Sequence, residues 1–141
     1  MEEVKKVMFT ETATASGGRE GKVKSEKGTI DYDVLMPMAE NYQSGKHTNP
    51  EELFAGAYAS CFDGAIRAVA ENGDVKIDDS ETTVEVSFGK TGDGFGLSAK
   101  IRSAIHGVDE ATAKDLLEKA HQICPYSKAT RGNIHVDVGL A

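Results

Sequence analysis

The run Thr48-Asn49-Pro50-Glu51-Glu52 constrains this chain more than any other stretch. Thr48 or Asn49 can cap a helix, and Pro50 suits a first turn whose amide has no partner to lose. Glu51 and Glu52 favour the positive end of the helix dipole. Behind this start, Leu53, Phe54, Ala57, Cys61, Ala65, Ala68 and Val69 recur at helical spacing. The pattern predicts an amphipathic, largely buried helix that ends near Asn72-Gly73. With 141 residues in all, a single domain packed around this helix is expected.

Strand patterns flank it on both sides. Residues 7–15, rich in Thr and apolar side chains, read as an opening strand. Gly17-Gly18-Arg19-Glu20-Gly21 reads as a turn exposing Arg19, and short strands follow at 22–25 and 30–35 around a Lys27-Gly28 turn. Residues 37–48 form a loop and a candidate flap. After the helix, residues 82–90 alternate Val84, Val86 and Phe88 against polar neighbours, and Phe95, Leu97, Ala99 and Ile101 alternate on a returning strand. That is a long antiparallel hairpin. Asp109 then caps a second helix carrying Leu116, Leu117, Ala120 and Ile123, stopped by Pro125, and Ile134, Val136, Val138 and Leu140 mark a closing strand. The predicted class is α+β, with mainly antiparallel sheet and two main helices.

Charge removes several functions. The net charge is -7 and the lysines are scattered, which disfavours a nucleic-acid surface. There is no Trp and only 6% of residues are aromatic, too few for a base-stacking platform. No apolar stretch reaches the roughly 18 residues needed to span a bilayer. The start Met1-Glu2-Glu3-Val4-Lys5-Lys6 lacks an apolar signal region, so a cytoplasmic location is expected.

The two cysteines, Cys61 and Cys124, lie in unlike surroundings. Cys61 falls inside the first helix, where it reads as a buried thiol. Cys124 stands at a helix stop before Pro125 and reads as a mobile partner able to reach it. Two thiols so placed suit peroxide reduction, the first sulfur being oxidised and the second closing on it. The plainer reading is that a cysteine on an apolar helix face is a small hydrophobe. A reactive Cys61 needs a cation from elsewhere, because burial alone raises its pKa and the dipole fades beyond the first turn. The histidines leave two further readings open. His121 lies one helical turn from Cys124, and His135 and Asp137 share a strand face, yet no zinc-type paired spacing occurs. A Cys–His hydrolase built on Cys61 is selected by nothing specific.

Three motifs in order resemble one family. Residues 48–54 with Tyr58-Ala59-Ser60-Cys61-Phe62 resemble the first signature of the Ohr/OsmC proteins. Residues 124–134, opening Cys124-Pro125-Tyr126-Ser127, resemble the second signature of the organic hydroperoxide resistance (Ohr) branch, and residues 17–21 match its glycine-flanked arginine. The resemblance covers essentially the whole chain. It implies an OsmC-like fold in an intertwined homodimer and a cysteine-based peroxidase acting on alkyl or lipid hydroperoxides. It further implies Cys61 as the peroxidatic thiol, Cys124 as the resolving thiol, Arg19 as the activating cation and Glu51 as the acid that holds Arg19. Family members carry no haem, flavin or metal and are regenerated by dithiols on lipoylated proteins. Met36, Met38, Phe54 and Tyr126 are candidate walls for an apolar substrate. Similar expectations attach to the OsmC branch, and a non-enzymatic redox sensor or hydrophobic-ligand carrier is the alternative from another class. His47 departs from the family pattern, standing where a glycine commonly precedes Thr-Asn-Pro.

One geometrical difficulty attends the implied site. On a straight helix Glu51 and Cys61 lie about 15 Å apart along the axis. Either the helix breaks between them, near Gly56, or a partner subunit completes the site.

Overall fold

The computed structural model describes residues 1–141. Its contacts divide the chain into two units, Met1–Pro50 and Glu51–Ala141. The first unit carries a four-stranded sheet in the order β1 (Ala13–Ser16), β2 (Lys22–Ser25), β3 (Asp31–Val34) and β4 (His47–Thr48). The opening strand is therefore shorter than residues 7–15. Val7, Met8 and Phe9 are exposed and precede it, because β2 offers partners only from Ala13 onward.

Between β1 and β2 the chain makes one 3₁₀ turn, Gly18–Glu20. Gly17 enters it at φ 74°, where a side chain would be strained, and a Cβ on Gly21 would meet the Ser16 carbonyl oxygen at 1.9 Å. Those two glycines fix the turn, and they leave Arg19 half-buried rather than exposed. The 37–48 loop is braced from within by successive tight turns. His47 holds one of them, its Nδ1 accepting from the Gln43 amide at 2.9 Å and its ring lying 5.9 Å from Tyr42.

The second unit is a three-stranded sheet carrying helices. Its elements run α1 (Pro50–Asn72), β5 (Asp79–Lys90), β6 (Phe95–His106), α2 (Glu110–Ile123), α3 (Pro125–Thr130) and β7 (His135–Leu140). α1 has the predicted start and end and is continuous through Gly56, so the helix break is not what the structure contains. Its buried stripe is Tyr58, Phe62, Ala65, Ile66 and Ala70, rotated slightly from the predicted face. These side chains meet Val84, Ala99, Ile101 and Ile105 of the sheet and Ala113, Leu116, Leu117 and Ala120 of α2 in one core. Asp109 caps α2 as expected, its Oδ1 accepting from the Thr112 amide at 2.8 Å.

The predicted α+β class with mainly antiparallel pairing holds, three of the five strand pairs being antiparallel, and two local expectations fail for definite reasons. β6 pairs antiparallel with β5 but parallel with β7, and β3–β4 is also parallel, so both sheets are mixed. Parallel neighbours need a crossover connection, and α2 with α3 supplies the one between β6 and β7. Phe88 and Phe95 are 37% and 66% exposed, because the buried face of the hairpin ends at Val84 and Ala99. Beyond it the two rings stack on each other at 5.0 Å. Ile123, in the last turn of α2, is exposed as well. No helix is long and apolar enough to cross a membrane.

The α2 cap gives a direct check on this packing. Asp109→Ala should cost about 1 kcal/mol of stability in urea unfolding. An unchanged midpoint and slope would show that the cap contributes nothing.

Candidate active site

Pro125 creates the site. It has no amide hydrogen and disfavours helical backbone in the residue before it, so α2 stops at Ile123. Cys124 takes φ -58° and ψ 122°, and the chain re-enters a helix at once with Pro125 in the first position of α3. The backbone of Cys124 stays satisfied through this corner. Its N–H donates to the Ala120 carbonyl at 2.9 Å, and its own carbonyl accepts from Lys128 at 3.0 Å. The side chain is thereby carried against α1.

There it meets Cys61. The two sulfurs, 63 residues apart in sequence, lie 3.5 Å apart with the Cys124 thiol donating, and both are free. A disulfide is about 2.05 Å long, so closing one requires an approach of about 1.5 Å. The burial of the pair is the reverse of the sequence expectation. Cys124 has no exposed surface, whereas Cys61 is half-buried and the accessible sulfur of the two. Cys61 lies on the flank of α1, beside the buried stripe, while Cys124 sits beneath the corner that Pro125 makes.

Burial pushes the Cys61 thiol above its ordinary value. The backbone N–H of Tyr126 opposes this by favouring the thiolate, and the neighbouring Cys124 sulfur raises it again, since two adjacent thiolates repel. A single proton removed from the pair leaves one thiolate beside one S–H donor. That is a usable nucleophile, though its surroundings in α1 and α3 do not make it a strong acid.

Aromatic rings of α1 and α3 pack on one another. Phe54 and Tyr126, two of the candidate wall residues, pack with centroids 6.0 Å apart, and Tyr58 lies 5.8 Å from each. Met36 and Met38 belong to the first unit, half-buried and exposed respectively. Arg19 belongs there too, on its glycine-bounded turn. Glu51 is half-buried in the first turn of α1, and along that unbroken helix it stays about 15 Å from Cys61. The structure therefore brings together Cys61, Cys124, Phe54 and Tyr126, and α1 by itself does not bring Glu51 to them. No group of three or more His, Cys, Asp or Glu side chains is disposed to hold a metal ion. His121 instead places Nδ1 2.9 Å from Ser127 Oγ, and Asp137 pairs with Arg102 at 2.7 Å.

Sequence reasoning missed the polar residues beneath the corner. Tyr58 and Ser127 are fully buried and Thr130 nearly so. The available signal was the i, i+3 spacing of Ser127 and Thr130 directly after Pro125, which marks one face of a short helix.

His121 supplies a measurable consequence. Burial first, and the Arg131 guanidinium second, hold its pKa below the ordinary 6.5. Below that pH the unfolded chain takes up a proton that the folded protein refuses, so stability falls as the solution is acidified. His121→Gln should flatten the loss below about pH 6.5 in urea titrations. Parallel curves for the two proteins would contradict this.

Comparison with known proteins identifies the family. Residues 43–139 match the OsmC-like protein family. The organic hydroperoxide resistance protein of Xanthomonas axonopodis pv. citri is 45% identical over 96% of each chain. Organic hydroperoxide resistance protein OhrB of Bacillus subtilis is 43% identical over 94% of this chain and 98% of its own. The crystal structure of that OhrB superposes with a TM-score of 0.89 at 40% identity, covering 96% of this chain and 100% of the other. An organic hydroperoxide resistance protein from Elizabethkingia anophelis, with thiocyanate bound, gives 0.88 at 42% identity over 96% and 98% of the two chains. The chain belongs to the OsmC-like family and, within it, to the organic hydroperoxide resistance proteins.

Proposed function

We propose that this protein is a thiol-dependent peroxidase that reduces organic hydroperoxides to alcohols. The observation that carries the reading is the sulfur pair at 3.5 Å, one member accessible and the other buried. Relatives at 43–45% identity named for organic hydroperoxide resistance supply the substrate class.

In the first step the Cys61 thiolate attacks the terminal peroxide oxygen. A sulfur–oxygen bond forms, the O–O bond breaks, and the alkoxide leaves to take a proton as the alcohol. Cys61 becomes a sulfenic acid, oxidised by two electrons. The buried Cys124 then attacks Cys61, the S–O bond breaks, and hydroxide leaves as water. An external dithiol, of the kind carried by lipoylated proteins, restores both thiols by exchange.

Arg19 is assigned the cation that this thiolate needs, with Glu51 orienting it and the active protein a homodimer. Arginine fits the role because it stays charged and has spare N–H donors for a peroxide oxygen. Support comes from the rigid turn that Gly17 and Gly21 impose on its backbone, and from the upward pressure on the Cys61 thiol that some cation must offset. Phe54 and Tyr126 offer an apolar approach suited to bulky peroxides better than to hydrogen peroxide.

The assay is consumption of an alkyl hydroperoxide, beside hydrogen peroxide, with a lipoyl dithiol and with thioredoxin as donors. Rapid turnover is expected with the alkyl peroxide and the lipoyl donor. Cys124→Ser should complete one turnover, stop cycling and accumulate sulfinic acid on Cys61. Arg19→Ala should slow the first step about a hundredfold. Steady wild-type cycling by Cys124→Ser would remove the resolving role, and no peroxide consumption by the wild type would remove the enzyme.

A further inference from the structure

Three hydroxyls meet beneath the corner that carries Cys124. Tyr58 Oη lies 3.0 Å from Ser127 Oγ and 3.1 Å from Thr130 Oγ1. Thr130 Oγ1 donates to the Ser127 carbonyl at 3.2 Å, and Ser127 Oγ is 2.9 Å from His121 Nδ1. The cluster ties α1 to α3 and to the last turn of α2.

Counting protons gives the chain a direction. Each hydroxyl has one proton to donate. The Thr130 proton is spent on the Ser127 carbonyl, so Tyr58 must donate to Thr130. Ser127 must then donate to Tyr58, which leaves Ser127 Oγ as an acceptor toward the imidazole. All four contacts are hydrogen bonds only if His121 carries its proton on Nδ1. Any other arrangement leaves a donor or an acceptor unmatched in a cluster almost without exposed surface, which is costly.

The anchored element decides the chemistry. α3 has six residues, too few to hold a helix unaided. Yet its start fixes both groups that act on Cys61, namely the Cys124 sulfur and the Tyr126 N–H. Ser127 and Thr130 are its buried residues, and both belong to the hydroxyl chain.

We propose that Tyr58, Ser127 and Thr130, closed by the Nδ1–H of His121, are positioning residues for the second chemical step. They hold α3 so that Cys124 stays within reach of an oxidised Cys61. This rests on the peroxidase reading. In that step Cys124 gives up its proton and forms the S–S bond as the Cys61 S–O bond breaks, and the departing hydroxide becomes water. None of the hydroxyls touches the reacting atoms, and none is needed for the attack on peroxide.

The test separates the two steps. Reduced full-length protein is mixed with one equivalent of tert-butyl hydroperoxide, dimedone traps sulfenic acid, and disulfide closure is timed by quenching. Tyr58→Phe, which removes only a hydroxyl, and Ser127→Ala should form sulfenic acid at nearly the wild-type rate. Closure should slow about tenfold, equivalent to about 1.4 kcal/mol, with dimedone captured on Cys61. The double variant should be no slower than the slower single one, since both break one chain. Nitrogen NMR of the wild type should find the Nδ1–H tautomer of His121 at neutral pH. Closure at wild-type speed, both steps slowed by one factor, or an Nε2–H tautomer would overturn the proposal. Should Ser127→Ala fail to fold, Tyr58→Phe decides alone. If the wild type forms no Cys61–Cys124 disulfide, the peroxidase reading fails; if it does and the variants match it, only the positioning role fails.

Discussion

The sulfur contact depends on a helix that stops one residue short. Had α2 continued through residue 124, the side chain there would have followed the helical sweep. Pro125 forbids that, and Cys124 turns out of the helix without leaving its own backbone groups unpaired. The corner costs little because α3 restarts immediately, with proline in the position where its missing N–H matters least. α1 meets the corner with a half-buried cysteine whose neighbours Tyr58 and Phe62 are anchored in the core. One turn of sequence thus fixes a 3.5 Å contact between residues far apart in the chain.

In the proposed peroxidase the unequal burial of the two sulfurs divides their labour. The accessible Cys61 is the one that an incoming peroxide can meet. Cys124 has no exposed surface, so an outside oxidant meets Cys61 first. Burial also has an electrostatic cost, since it raises the Cys61 thiol against the opposing Tyr126 N–H. In the proposed mechanism rate therefore has to come from a cation, and geometry from the corner. These are separate requirements, assigned in the proposal to separate parts of the sequence.

Local signals were legible where local physics decides. The α1 start at Pro50, the Asp109 cap and the β5–β6 hairpin all rest on short-range rules and stand nearly where the residues placed them. The family motifs marked both cysteines. Less legible were features set by what packs against what. Phe88, Phe95 and Ile123 follow the apolar period of their elements, but they lie outside the buried core. The parallel β7 required knowing that α2 returns the chain to the same sheet. The burial of Cys124 beneath that of Cys61 depended on α3, which six residues after a proline do not announce. Tyr58 looked like ordinary core until Ser127 and Thr130 were found beside its hydroxyl.

The central claim is that Cys61 and Cys124 are one redox pair within a single chain. Non-reducing peptide mapping after one equivalent of cumene hydroperoxide tests it most directly. The account predicts a cross-linked pair of peptides holding those two residues from the same chain, lighter by two hydrogens than the reduced pair. Two free thiols, a bond between chains, or an overoxidised Cys61 beside an untouched Cys124 would contradict it.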